Sequence, residues 1–153
     1  FIKGTVVVGK DTVIRSNSYI RGPVVIGEGC DIGPGGVIMP ASSIGNNVVV
    51  APFSAISNSV LGDDISIGAG SIIQDSVIDK GCVIQGHFSA CRGPAEIRVG
   101  QEYYSVNVGA MLGVGCTLDN NVVAQPGVIV GNYSQIGAMK SISGIIPDKS
   151  LIL

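Results

Sequence analysis

The chain has 153 residues, a net charge of −2 and 13% charged against 46% hydrophobic residues. That length fits one domain, and the near-neutral charge provides no basic surface for nucleic acid or an acidic membrane. With 23 glycines, no tryptophan and no apolar run near the ~18 residues of a bilayer span, the composition excludes a helical membrane protein and suits a core of stacked Val and Ile with Gly and Asn at corners.

From the first residues an aliphatic side chain recurs every six positions, at Ile2, Val8, Ile14, Ile20, Ile26, Ile32, Ile38, Ile44, Val50 and Ile56. Helices repeat at 3.6 and strands at 2, so this comb marks a repeat architecture of one short strand and one turn per unit. The residue two before each comb position is compact, as at Val6, Thr12, Ser18, Val24, Cys30 and Ser42. Residues two apart on a strand share a face, so both positions point inward. Gly9, Gly27, Gly33 and Gly45 follow comb residues, and Asp11, Asn46 and Asn47 follow soon after. These residue types tolerate the positive φ of sharp corners. Three units close a triangular coil of roughly 18 residues, and stacked coils form parallel sheets about 4.8 Å apart.

Five-residue steps then bring in Leu61, followed by Ile67 and Ile73, and again Ile78, followed by Ile84. The pattern is lost over 85–105 and resumes as Val106, Leu112, Leu118, Ala124, Val130, Ile136 and Ile142. The predicted fold is therefore all-β, a parallel β-helix shaped as a triangular prism of about seven coils, with one inserted loop at about 85–105. Insertions in solenoids become loops on one face, often the binding face.

Cys30, Cys82 and Cys116 fall in the compact inward slot, where a free thiol acts as a small hydrophobe, and no CxxC pair is present. A reduced, cytoplasmic protein is the simplest reading. One histidine per chain cannot make a three-histidine zinc site unless a threefold axis gathers three copies of His87, so no metal is expected. The comb is already in phase at Ile2 with nothing to cap the first coil. The expectation is a single β-helix domain over 1–153 that forms the C-terminal piece of a longer protein.

The [Leu/Ile/Val]-Gly-x4 spacing resembles the hexapeptide-repeat family, and the resemblance implies a left-handed β-helix where general crossover rules would suggest a right-handed one. Gln125-Pro126-Gly127-Val128-Ile129-Val130-Gly131-Asn132, with Ile136-Gly137-Ala138 and Ile146-Pro147-Asp148, is similar to the closing coils of hexapeptide acyltransferases. Gly22-Pro23-Val24-Val25-Ile26-Gly27, with Ile32-Gly33-Pro34 and Ser57-Asn58-Ser59-Val60-Leu61-Gly62, resembles the C-terminal domain of sugar-1-phosphate nucleotidylyltransferases. The interruption, re-entered through Val108-Gly109-Ala110-Met111-Leu112-Gly113, resembles archaeal-type bifunctional nucleotidylyltransferase/acetyltransferases. Acetyltransferases of that subgroup carry a His, with a Tyr three residues on, before the insertion, and a basic re-entry after it. Here the corresponding stretches read Ile65-Ser66-Ile67-Gly68-Ala69-Gly70 and Tyr103-Tyr104-Ser105-Val106-Asn107.

The resemblance implies a trimeric domain for nucleotide-sugar biosynthesis that transfers acetyl from acetyl-CoA to a hexosamine 1-phosphate, or a catalytically silent trimerising or regulatory domain. The lone His87, at the start of the expected insertion, is the candidate base for the amine proton. Arg92 and Arg98 suit phosphate, and Tyr103 and Tyr104 suit a sugar or an adenine. Gly137, Ala138 and Lys140 match the stretch along which the pantetheine arm and nucleotide end of coenzyme A lie in such acyltransferases.

Overall fold

The computed structural model describes residues 1–153. The chain winds as a left-handed parallel β-helix with three sides, each an eight-stranded parallel sheet. The first sheet runs from Ile2–Lys3 to Ser141–Ile142, the second from Val6–Val8 to Ile145–Ile146, and the third from Val13–Ile14 to Leu151–Ile152. Eight strands per sheet make eight coils, one more than expected. The extra coil is gained where the step from Ile142 to Ile146 shortens, which the six-residue count passed over.

Strands of the three prism sheets are two or three residues long because a corner must follow each one. Asp11, Gly29, Asn47 and Asp64 hold φ of 60°, 66°, 55° and 58° at successive corners of one edge. That conformation costs of order 1 kcal/mol for a residue with a Cβ. Stacking offsets it: the corner N–H of Asn47 donates to Glu28 O at 2.8 Å and that of Asp64 to Asn46 O at 2.9 Å, each in the coil above.

The comb faces inward as the sequence predicts. In the first sheet Ile20, Ile38, Ile56 and Ile73 stack in register and are fully buried. Ile2 and Val8, in the first described coil, are 53% and 38% exposed. The compact slot is often Ser, and its hydroxyl is always satisfied. Ser76 donates through Oγ to Gln74 O at 2.7 Å and accepts the N–H of Ala110 at 2.9 Å. Ser76→Ala therefore strands a buried N–H where the chain re-enters the prism. A loss of about 1–3 kcal/mol is expected in urea unfolding, and an unchanged midpoint would refute the bond's role.

Cys30, Cys82 and Cys116 occupy the equivalent slot of the third sheet, and their thiols donate to Gly45 O, Gly113 O and Gly131 O at 3.1, 3.1 and 3.2 Å. The Cys82 thiol is pushed far above the usual range, first by its hydrogen bond with the Cys116 sulfur and then by burial, so it stays protonated. Cys91 is exposed.

The insertion differs from expectation in extent and form. Residues 85–90 remain in the prism: Ser89 and Ala90 pair with Ile72 and Ile73 above, and Ser89 with Val123 below. The inserted segment is an antiparallel hairpin, Gly93–Val99 against Glu102–Val108, and Val106 lies on it, half-exposed, rather than in the comb. The comb in fact continues through Ala90. It was hidden because large and small residues exchange places in this coil, Phe88 filling the compact slot and Ala90 the comb slot, both buried. The two five-residue steps and the hairpin all fall at one edge, between the first and second sheets, in three successive coils.

Candidate active site

The edge between the third and first sheets carries the corner residues Gly35, Phe53, Gly70, His87, Asn121 and Met139, each donating its N–H to a carbonyl of the coil above. His87 takes φ 58°, is exposed, and donates its N–H to Ala69 O at 2.9 Å. Its ring leans over Gly70, where a Cβ would sit 2.7 Å from Nδ1. Phe53 covers Gly35 and Tyr133 covers Gly115 in the same way, so a ring over a glycine is how this fold seats a large corner side chain. His87 thus belongs to a regular corner and not to the insertion, and its neighbour Phe88 points into the core.

Gly137, Ala138 and Lys140 lie on this same edge two coils further down, about 10 Å away at the usual strand spacing. Lys140 is half-buried, with no carboxylate within 4.0 Å of its ammonium. On the third-sheet side of the edge a groove of about 320 Å³ is lined by Gln85, Thr117, Asp119, Gln135, Gly137 and Leu153, among others. Sequence reasoning missed Gln85 and Asp119. The available signal was that each directly follows a comb residue, Ile84 or Leu118, in the place where other coils carry a corner glycine.

The remaining expected residues sit elsewhere. Arg92 is at the edge between the first and second sheets, with its guanidinium 4.0 Å from the Asp75 carboxylate and its N–H donating to Gln74 Oε1 at 3.2 Å. Tyr103 and Tyr104 lie on the hairpin and, as strand neighbours, face opposite ways. Tyr104 donates its hydroxyl to Glu102 at 2.7 Å, and that bond holds the phenol above its usual range. One prism therefore brings His87 together with Gly137, Ala138 and Lys140, while Arg92, Tyr103 and Tyr104 stand across the width of the first sheet.

The His87 edge combines an imidazole, backbone without side-chain bulk at Gly137, an ammonium with no carboxylate within 4.0 Å and polar groups lining a groove.

The chain shares its β-helix fold with several solved acyltransferases. Residues 20–93, just under half of it, match the model of the family described as GMPPB C-terminal domain. A stretch of 34 residues is 56% identical to the bifunctional protein GlmU of Carboxydothermus hydrogenoformans, covering 22% of this chain and 8% of that protein. Among solved structures, a mutant GDP-perosamine N-acetyl transferase from Caulobacter crescentus, in complex with CoA and GDP-perosamine, superposes with a TM-score of 0.64 at 21% identity, over 78% of this chain and 52% of that one. A mutant of AntD, an N-acyltransferase from Bacillus cereus in complex with dTDP-4-amino-4,6-dideoxyglucose and coenzyme A, gives 0.66 at 19% identity over 96% and 77%. The polySia-specific acetyltransferase NeuO gives 0.60 at 19% over 99% and 79%. This chain thus spans about half the length of the first of these structures and a small part of the curated relative. At these identities the superpositions establish the shared fold.

Proposed function

We propose that this β-helix is the C-terminal domain of a nucleotide-sugar-forming enzyme and transfers acetyl from acetyl-CoA to the amine of a hexosamine 1-phosphate. The observation that carries the reading is the placement of His87, Gly137, Ala138 and Lys140 on one edge beside a groove. In this scheme the amine attacks the thioester carbonyl, the N–C bond forms, the C–S bond breaks, and His87 takes the amine proton and returns one to the departing thiolate. Pantetheine lies against Gly137 and Ala138, and Lys140 meets a phosphate. The N-acyltransferases with which the fold is shared, and the GlmU and GMPPB matches, support the assignment to sugar-nucleotide chemistry.

The test is thiol release from acetyl-CoA with glucosamine 1-phosphate. His87→Ala is expected to lower kcat about 10²–10⁴-fold with the β-helix intact. Gly70→Ala, which displaces the imidazole without removing it, is expected to lower kcat by about tenfold to a hundredfold. Activity indifferent to both changes would refute the role of His87.

A second reading, an assembly domain for an attached nucleotidylyltransferase, is favoured by one observation. The outward residues of the second sheet form an in-register ladder, Val7, Val25, Ser43, Val60, Val77, Met111, Ile129 and Ile145, apolar at every rung but Ser43. Closed cyclic symmetry would cover such an apolar ladder in a homotrimer. In that trimer the hairpin of one copy could approach the His87 edge of the next and join the two groups of residues. Val60→Lys would then dissociate the assembly in sedimentation experiments, and a trimer untouched by it would overturn the use of this face.

A further inference from the structure

Gly86, the residue before His87, is gripped on both sides by the coil beneath. Asn120 accepts the Gly86 N–H through Oδ1 at 3.1 Å, and the N–H of Asn121 donates to Gly86 O at 3.0 Å. The Asn120 amide is itself fixed: Nδ2 donates to Asp119 Oδ1 at 3.2 Å, and the same oxygen accepts the Asn120 N–H at 2.7 Å. We propose that Asn120 is a positioning residue for His87, acting through the backbone to hold the imidazole over Gly70. Glycine has the widest backbone freedom of any residue. An unpinned Gly86 would therefore let His87 leave its φ of 58°, a conformation that costs energy for a residue with a Cβ. With Gly86 held from beneath and the His87 N–H held by Ala69 O above, the ring has one seat, with Nδ1 2.7 Å from where a Cβ of Gly70 would stand. The same bond recurs on the edge between the second and third sheets, where Asn46 Oδ1 takes the Glu28 N–H at 2.9 Å and Asn132 Oδ1 that of Val114 at 2.8 Å. On the His87 edge it is made once, beneath the coil that carries the imidazole. The matching positions of the second, third, fourth and seventh coils are Pro34, Pro52, Ala69 and Ala138, whose side chains have no acceptor.

The part Asn120 plays in catalysis rests on the acetyl-transfer reading, whereas its seating of the ring does not. His87 is the one histidine of the chain, so its Cε1–H gives a single NMR resonance. Cε1 lies 2.9 Å from where a Cβ of Gly70 would stand, which puts that proton beside the α-hydrogens of Gly70. The experiment follows the nuclear Overhauser cross-peak between them, together with thiol release from acetyl-CoA with glucosamine 1-phosphate. Asn120→Ala is expected to lose the cross-peak and to lower kcat about tenfold to a hundredfold, with KM for acetyl-CoA changed less than about twofold. Asn46→Ala removes the same kind of bond on another edge, so its thermal melt gives the structural cost alone, while its cross-peak and kcat should stay at the parent values. Absence of the cross-peak from the parent, its retention in Asn120→Ala, its loss there with kcat unchanged, or an equal loss in Asn46→Ala would overturn the proposal. A parent protein that shows the cross-peak but releases no thiol would sink the acetyl-transfer reading instead, and the cross-peak of Asn120→Ala would still decide how the ring is seated.

Discussion

Phe88→Ala is expected to destabilise the β-helix by about 3–5 kcal/mol, with a matching fall in the urea midpoint. Phe88 is 1% exposed and is the aromatic residue of the core. Its ring compensates for methyl groups where other coils carry isoleucine, since Ala90 and Ala124 both occupy comb positions of the first sheet. Truncation would open a cavity bordered by short side chains that cannot reach in to fill it. Phe53→Ala, at a corner where the ring is 75% exposed, should cost well under 1 kcal/mol and serves as control. The exchange of large and small residues gives a sharper test. Phe88→Ser combined with Ala90→Ile rebuilds the arrangement of the preceding coil, Ser71 with Ile73. The pair should recover at least about 1 kcal/mol relative to the sum of the single changes. Strict additivity would mean that the two positions do not share one volume.

The second large effect separates two adjacent isoleucines. Ile73→Ala is expected to cost about 2–5 kcal/mol and Ile72→Ala less than about 1 kcal/mol. Ile73 is fully buried between Ile56 and Ala90, whereas Ile72 points outward and is 42% exposed. Equal losses, measured by denaturant unfolding at dilutions where the chain is monomeric, would contradict the inward comb on which the register rests.

Most of the fold was legible because one physical requirement repeats: every strand must present its aliphatic residue to the same axis. Ile20, Ile38 and Ile56 declare it plainly. It failed where the volume rule was met by a different partition, since Ala90 is too small to register as a hydrophobic tooth and Phe88 sits out of phase. It also failed at Val106, a β-branched residue whose spacing matched the comb but which pairs with Ala95 in the hairpin. The candidate site was less legible. Sequence order could place His87 near residue 85, but which edge it occupies depends on counting corners, and two of those had lost a residue. The coils that bring Gly137 beneath it lie on the far side of the hairpin, so their adjacency emerges only after the insertion is reduced to its true bounds. Gly70, as the seat of the imidazole, carries no local signal that separates it from any other corner glycine.

One edge of the prism has absorbed a shortened turn three times and a whole hairpin once, while Ile78 still pairs with Leu112 across the interruption. Length at that seam is therefore uncoupled from the stack on either side. New segments can be spliced there, or old ones trimmed, without the rungs above and below losing alignment. Novelty in this molecule can accumulate along a single line and leave the other two edges as they were.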